Sequence, residues 1–282
     1  MNDFGRRRDD PDHGKSPADV RPLVRRGLPP KEELEQTLAV RQHEHNPRAR
    51  GVAAEFRAQQ FHYPLNAPST AVQALGDELV AAKEPFSDRA EEFRSLRREL
   101  LATVFSDVDG RALAVVSAQQ GDGKTYLAGN LAVSFSQFAG RTLLIDANLR
   151  RPALHCMLRT RREVGLSNLL AGEVKGEAVV PVEGVQGLHF IAAGPALADP
   201  VQLLQGPRFS MLLEQMVDSF DYVFIDTPSN DTGPDARLIA ARAGAALLVG
   251  RKGHSRVSSC RRLLSQLNLG PSLVAGVVLN QH

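Results

Sequence analysis

The sequence contains no tryptophan, and among its 282 residues only 2 are cysteine, 3 tyrosine and 4 methionine. Cys156 and Cys260 lie far apart and form no CxxC, which excludes a disulfide-stapled scaffold and a CxxC metal or redox motif. No apolar run approaches the roughly 20 residues that a membrane helix needs. The first residues, Met1 to Asp12, are polar and charged, which excludes a secretory leader. The 8 histidines are scattered, with no HxxxH pair beside an acid to suggest zinc. A formal charge of +2 is too small to argue for a nucleic-acid partner. There is no internal repeat. These absences favour a soluble, cytoplasmic protein, and 43% hydrophobic residues suffice for one good-sized domain plus extra segments.

What is present falls into two regions. Residues 1–84 are irregular and read as a partly disordered accessory segment. "MNDFGRRRDDPDHGKSPADVRP" mixes Arg, Asp, Pro and Gly with little to bury, and Arg6-Arg7-Arg8 reads as a solvated tail. Two short helices are expected within this segment. One follows Pro29-Pro30, where proline suits a first helical turn, and one covers residues 52–60.

Residues 85–282 have a regular pattern and read as one nucleotide-binding domain. A helix is expected from Ser87 or Asp88, with Phe93, Leu96, Leu100 and Val104 on one buried face. Five short apolar runs follow, Leu113–Ser117, Thr142–Asp146, Tyr222–Asp226, Ala246–Gly250 and Val274–Leu279, with a sixth at Leu188–Ala192. Helical patterns separate most of them. Leu127, Leu131, Phe135 and Phe138 mark one, closed by Gly140. Continuous apolar strands alternating with helices predict an α/β fold, a mostly parallel sheet with helices on both faces.

"SAQQGDGKTYLAGN" lies where the first strand gives way to a helix. Its spacing is Ala118-x4-Gly123-Lys124-Thr125, with Ala where the usual phosphate-loop pattern has its first Gly. Small residues let backbone N–H groups close on phosphate oxygens, and the helix N-terminus adds positive potential. Gly121, Asp122, Gly123, Lys124, Thr125 and Tyr126 are the candidate nucleotide-binding residues here. Lys124 is expected to reach the β- and γ-phosphates, and the Thr125 hydroxyl to ligate Mg²⁺. An ordinary Gly-rich turn is the alternative. Two further strand ends argue against it: "LLIDAN" places Asp146, and "VFIDTP" places Asp226, beyond the carboxyl ends of apolar strands. Ligands gather there in parallel sheets, and carboxylates there hold Mg²⁺ or accept a proton.

The loop and its two aspartates resemble those of the bacterial tyrosine kinases of polysaccharide synthesis, a P-loop NTPase-like family. Their Walker A loop, a second motif DxDxR and a Walker B strand ending in DxP correspond here to Ala118–Thr125, Asp146-Ala147-Asn148-Leu149-Arg150 and Asp226-Thr227-Pro228. "GLSNLLAGEV" and "AGVVLNQH" also fit, and the resemblance runs from about residue 85 onward. "AQQFHYPL" resembles, more loosely, the EpsG-type chain-length-determinant kinases. The resemblance implies ATP and Mg²⁺ as cofactors and tyrosine-containing proteins as substrates. It gives catalytic roles to Lys124, Asp146, position 148 and Asp226, and metal contacts to Thr125, Asp146 and Asp226. It places Asn280 near the adenine. Glu91, Arg94 and Arg97 match its ExxRxxR, an assembly contact, which implies a homo-oligomer; a solvated face with internal pairs is the other reading.

Three features depart from the pattern. Asn148 stands where the second Asp is expected, no tyrosine cluster precedes His282, and the tyrosines are Tyr63, Tyr126 and Tyr222. With no fused membrane segment, the expected membrane activator is a separate chain that recruits this one to the inner face of the membrane. A weakly active or inactive ATP-binding scaffold is the competing expectation. A partitioning ATPase ranks third, because Gln119 stands where its signature lysine belongs.

Overall fold

The computed structural model describes residues 74–106, 112–138, 140–174 and 176–281. The two expected accessory helices, "AQQFHYPL" and Tyr63 lie outside the described residues. Seven strands form one sheet: β1 (Ala112–Ser117), β2 (Thr142–Asp146), β3 (Val179–Pro181), β4 (Leu188–Ile191), β5 (Tyr222–Asp226), β6 (Ala245–Arg251) and β7 (Leu273–Asn280). Their order is β3-β4-β2-β5-β1-β6-β7. All neighbours pair parallel except β3 with β4. The six expected strands are present, and β3 is an addition. Its three residues are too few to show a period, and its Pro181 suits an edge, where a missing N–H costs little.

Successive strand residues point to opposite faces. Leu113, Val115, Leu144, Phe224 and Leu247 pack on one side under α1 (Val80–Lys83), α2 (Asp88–Thr103), α3 (Lys124–Ser136) and α4 (Leu154–Met157). Ala114, Val116, Leu143, Ile145, Ile225 and Leu248 pack on the other. There they meet α5 (Leu166–Ala171), α6 (Val201–Gln205), α7 (Pro207–Ser219), α8 (Asp235–Ala243) and α9 (Val257–Asn268). Both faces are covered, which is why the central strands read as unbroken apolar runs.

α2 begins where the sequence puts it. Ser87 is its N-cap and accepts from the Ala90 amide at 3.3 Å, with Asp88 and Glu91 in the first turn. Phe93, Leu100 and Val104 are buried, and Leu96 packs partly buried against the same cluster. Phe138 departs from expectation. α3 ends at Ser136, so Phe138 falls off the buried stripe and is 56% exposed. The Arg97 guanidinium lies 5.0 Å above its ring.

Packed structure starts before residue 85. Leu75, Leu79, Val80 and Ala81 belong to the same core as α2 and α3. Full burial of such a side chain contributes about 1.5–3 kcal/mol for each leucine or valine. Asn130, buried in α3, ties this stretch down. Its amide donates to Glu78 O at 2.8 Å and Tyr126 O at 2.9 Å, and its Oδ1 accepts from Ala81 N at 2.9 Å. The expected boundary at residue 84 therefore falls inside packed structure.

His189 on β4 is buried, with its ring 5.2 Å from that of Phe220. Burial pulls its pKa down from 6.5 to about 4, against hydrogen bonds with the backbone of Thr142 and Gly187 that raise it. A depressed histidine contributes stability above its ordinary value, and that contribution is lost as pH falls through the folded value. We expect stability to drop between pH 6.5 and 4 by about 1–2 kcal/mol from this group. In denaturant titrations across that range, His189→Gln should flatten the pH slope.

Candidate functional site

β1 and β6 pair, β1 and β5 pair, and β5 pairs with β2, so their carboxyl ends lie side by side. The loop after β1 reaches α3 through Gly121 and Gly123, at φ +84° and +95°, a backbone region that glycine adopts without steric cost. Lys124 opens α3 and is buried. Its Nζ donates to Ser117 Oγ at 3.0 Å. Burial lowers its pKa, opposed by the charges of Asp226, Asp122 and Asp231. The ammonium thus faces a neutral hydroxyl in a buried cleft, a position suited to receiving an anion.

Asp146 and Asp226 are register partners at the ends of β2 and β5, and both are fully buried. Asp146 Oδ1 accepts from Asn148 N at 3.1 Å, and Oδ2 from Ala153 N and Leu154 N at 3.2 Å. Asp226 Oδ2 accepts from Thr125 Oγ1 at 2.7 Å, while its buried Oδ1 has no hydrogen-bond partner among the described residues. Burial and the neighbouring Asp226 charge raise the Asp146 pKa to about 8. Burial raises that of Asp226 to about 6, with Lys124 and Thr125 opposing. Near neutral pH the pair therefore holds roughly one proton between two carboxyls.

The donor set fits Mg²⁺: two carboxylates and a hydroxyl, all hard oxygens, with one buried oxygen unsatisfied. Among the described residues no group of three or more His, Cys, Asp or Glu could hold a metal alone. Magnesium sites beside phosphates need no such cage, because substrate oxygens and waters complete the shell.

Other expected site residues fall differently. Asn280 closes on the loop, its amide donating to Asp122 O at 3.2 Å. Tyr126 does not point its side chain at the loop. One residue past Thr125, it turns onto the face packed on α2, with its ring 5.7 Å from that of Phe93 and its hydroxyl tied to Arg89. Asn148 is a turn residue whose Oδ1 accepts from Arg151 N at 3.2 Å. Arg150 is a clamp, donating to both oxygens of buried Asp235 at 2.6 and 3.3 Å and to Ala198 O at 2.6 Å. Glu91, Arg94 and Arg97 lie away from the loop and are engaged within the chain. Glu91 pairs with Arg94 at 2.7 Å and Arg98 at 3.2 Å, and Arg97 donates to the Ser134 carbonyl. Sequence reasoning missed the turn between β6 and α9, which touches the loop at several points. Its position beyond the carboxyl end of the strand beside β1 was the available signal.

The proton shared by the aspartates gives a test. Asp146, with its pKa raised, contributes stability that is fully present below 3.8 and lost as pH rises through about 8. Asn at 146 cannot ionise. The melting temperature of Asp146→Asn minus that of wild type should therefore increase from pH 5 to pH 8.5 by at least about 2–4 °C. A difference flat with pH would contradict the buried-pair account.

Known proteins share this arrangement. A family model described as "ParA: NUBPL iron-transfer P-loop NTPase" matches residues 110–250. The EpsB protein of Ralstonia solanacearum is 36% identical over 205 residues, which cover 73% of this chain and 27% of that protein. The chain thus spans about a quarter of the length of that relative. The solved BceF tyrosine kinase domain is 30% identical, with a TM-score of 0.63, over 72% of this chain and 81% of that one. The kinase domain of Escherichia coli tyrosine kinase ETK superposes with a TM-score of 0.68 at 27% identity, over 79% and 84% of the two chains.

Proposed function

The chain belongs to the bacterial tyrosine-kinase family, and on that premise we propose that it is an ATP-dependent protein-tyrosine kinase that regulates exopolysaccharide chain length or export. The observation that carries the reading is the buried Asp146–Asp226 pair with Thr125 and Lys124 against it. Phosphoryl transfer needs this set, because its catalysis is mostly positioning and charge stabilisation.

In this reading the loop from Gly121 to Thr125 binds the phosphates through backbone N–H groups and Lys124. Asn280 supports the nucleotide side of the loop. Thr125 and Asp226 would hold Mg²⁺, with Asp146 beside it as base or metal partner, and the ion would supply positive charge against the phosphates. A substrate tyrosine oxygen bonds to the γ-phosphorus, the bond to the β,γ-bridging oxygen breaks, and ADP leaves. The phenolic proton would pass to Asp146 in its ionised form, which a cation beside the pair would favour. A carboxylate whose proton affinity is raised toward 8 is better matched to a phenol near 10 than an ordinary aspartate is. Lys124 offsets the charge gathering on the leaving phosphate.

Asn148 bears on a second reading, an ATP-binding scaffold of low activity that works through a separate membrane partner. If position 148 had to be the base, asparagine there would cost roughly 10²–10⁴ in rate. The position of Asp146 favours it instead, since it ends β2 as the buried register partner of Asp226, whereas Asn148 lies beyond the strand and an amide cannot take the proton. Among the described residues no helix is long and apolar enough to cross a membrane. The reading includes a separate membrane activator and recruitment to the cytoplasmic face. It also includes self-assembly through α2. Assembly of that kind would require Glu91, Arg94 and Arg97 to exchange internal partners for those of another copy.

Labelled ATP with a tyrosine peptide, followed by phosphoamino-acid analysis, tests the proposal. Wild type should yield phosphotyrosine, Asp146→Asn should lower the rate at least about 100-fold, and Asn148→Asp should raise it by less than that. A wild type silent until Asn148→Asp restores it would favour the scaffold. Free phosphate alone would favour an ATPase.

A further inference from the structure

The phosphate loop does not hold its shape through its own bonds alone. The turn between β6 and α9, residues 251–256, grips it at successive positions. Arg256 N donates to Gln119 Oε1 at 2.7 Å. His254 Nε2 lies 2.8 Å from Gln120 O, and Arg251 Nη1 donates to Gly121 O at 3.3 Å. Ser255 Oγ donates to Asp122 Oδ1 at 2.6 Å while accepting from Arg251 N at 2.6 Å. Asp122 closes the loop on itself, its Oδ2 accepting from Gln119 N at 3.0 Å.

Asp122 is the centre of this clasp, because its carboxylate is fully buried. A buried carboxylate must be met by donors or it is strongly destabilising. Oδ2 is met from within the loop, by Gln119. Oδ1 is met by Ser255, with His254 Nε2 farther off at 3.9 Å. Ser255 sits 133 residues further along the chain. Its hydroxyl connects the end of β6 to the loop read as the phosphate site.

We propose that Ser255 is a positioning residue for nucleotide binding, setting the phosphate loop through Asp122. The inference rests on the reading of this loop as the ATP site. Without the hydroxyl, Asp122 Oδ1 loses its close donor and the Gln119–Gly123 backbone samples other conformations. Binding then includes the cost of ordering it. The hydrogen bond is local to the loop, so the fold as a whole should be little affected.

Calorimetric titration with ATP·Mg²⁺, combined with hydrogen exchange on the loop, tests this. Ser255→Ala should weaken ATP·Mg²⁺ roughly tenfold. It should speed exchange of the amides between Gln119 and Thr125 while leaving the melting temperature within about 2 °C of wild type. Ser255→Thr, which keeps the hydroxyl, should restore most of the affinity and the protection. Wild-type affinity in Ser255→Ala would overturn the proposal. So would equal losses in the Ala and Thr variants, or a loss accompanied by faster exchange throughout the sheet. A wild type that binds no ATP would instead refute the nucleotide site itself, a result separate from any difference between the variants.

Discussion

Two carboxylates share one dry place at the end of the sheet, and most of the site's chemistry follows from that. β2 and β5 run parallel and in register, so Asp146 faces Asp226 at the strand ends and both are buried. Neither can be fully charged without the other resisting. The fold answers with a lysine from the next loop, a threonine hydroxyl on one carboxylate and three backbone N–H groups on the other. One buried oxygen of Asp226 is still unmet. A cation and a phosphate chain complete such a site, and the phosphate loop lies beside it because β1 is the neighbour of β5.

Much of this could be read from the sequence because the signals are local. Strands buried on both faces give unbroken Val, Ile and Leu runs, and a Gly-rich turn before a helix gives the loop. What was missed depends on distant contacts. Leu75 and Leu79 look like parts of an irregular segment until α3 supplies Asn130 to tie down their backbone. Phe138 continues the apolar spacing of α3, yet the helix ends before it. The grip of residues 251–256 on the loop joins positions more than 130 apart, and no periodicity carries that.

The charged face of α2 shows the same limit. Spacing alone placed Glu91, Arg94 and Arg97 beside the apolar stripe but could not say what they touch. In the folded chain they form two sets of contacts, one from the Pro85 carbonyl through Arg94 and Glu91 to Arg98, the other from Arg97 to the Ser134 carbonyl and the Phe138 ring. Exposed pairs of this kind contribute about 0–1 kcal/mol each, little enough for another surface to replace them. α2 thus combines a buried face that fixes it to the core with a charged face whose partners can be exchanged.

The account's central claim is that the cleft between Lys124 and the two aspartates binds a magnesium nucleotide. The most direct measurement is calorimetric titration of ATP into wild type and Lys124→Ala, each with and without Mg²⁺. The account predicts saturable binding in wild type that strengthens with Mg²⁺, and a loss of most of that affinity in Lys124→Ala, with circular dichroism showing that the variant is still folded. Equal affinity in the two proteins, or binding in wild type indifferent to Mg²⁺, would contradict it.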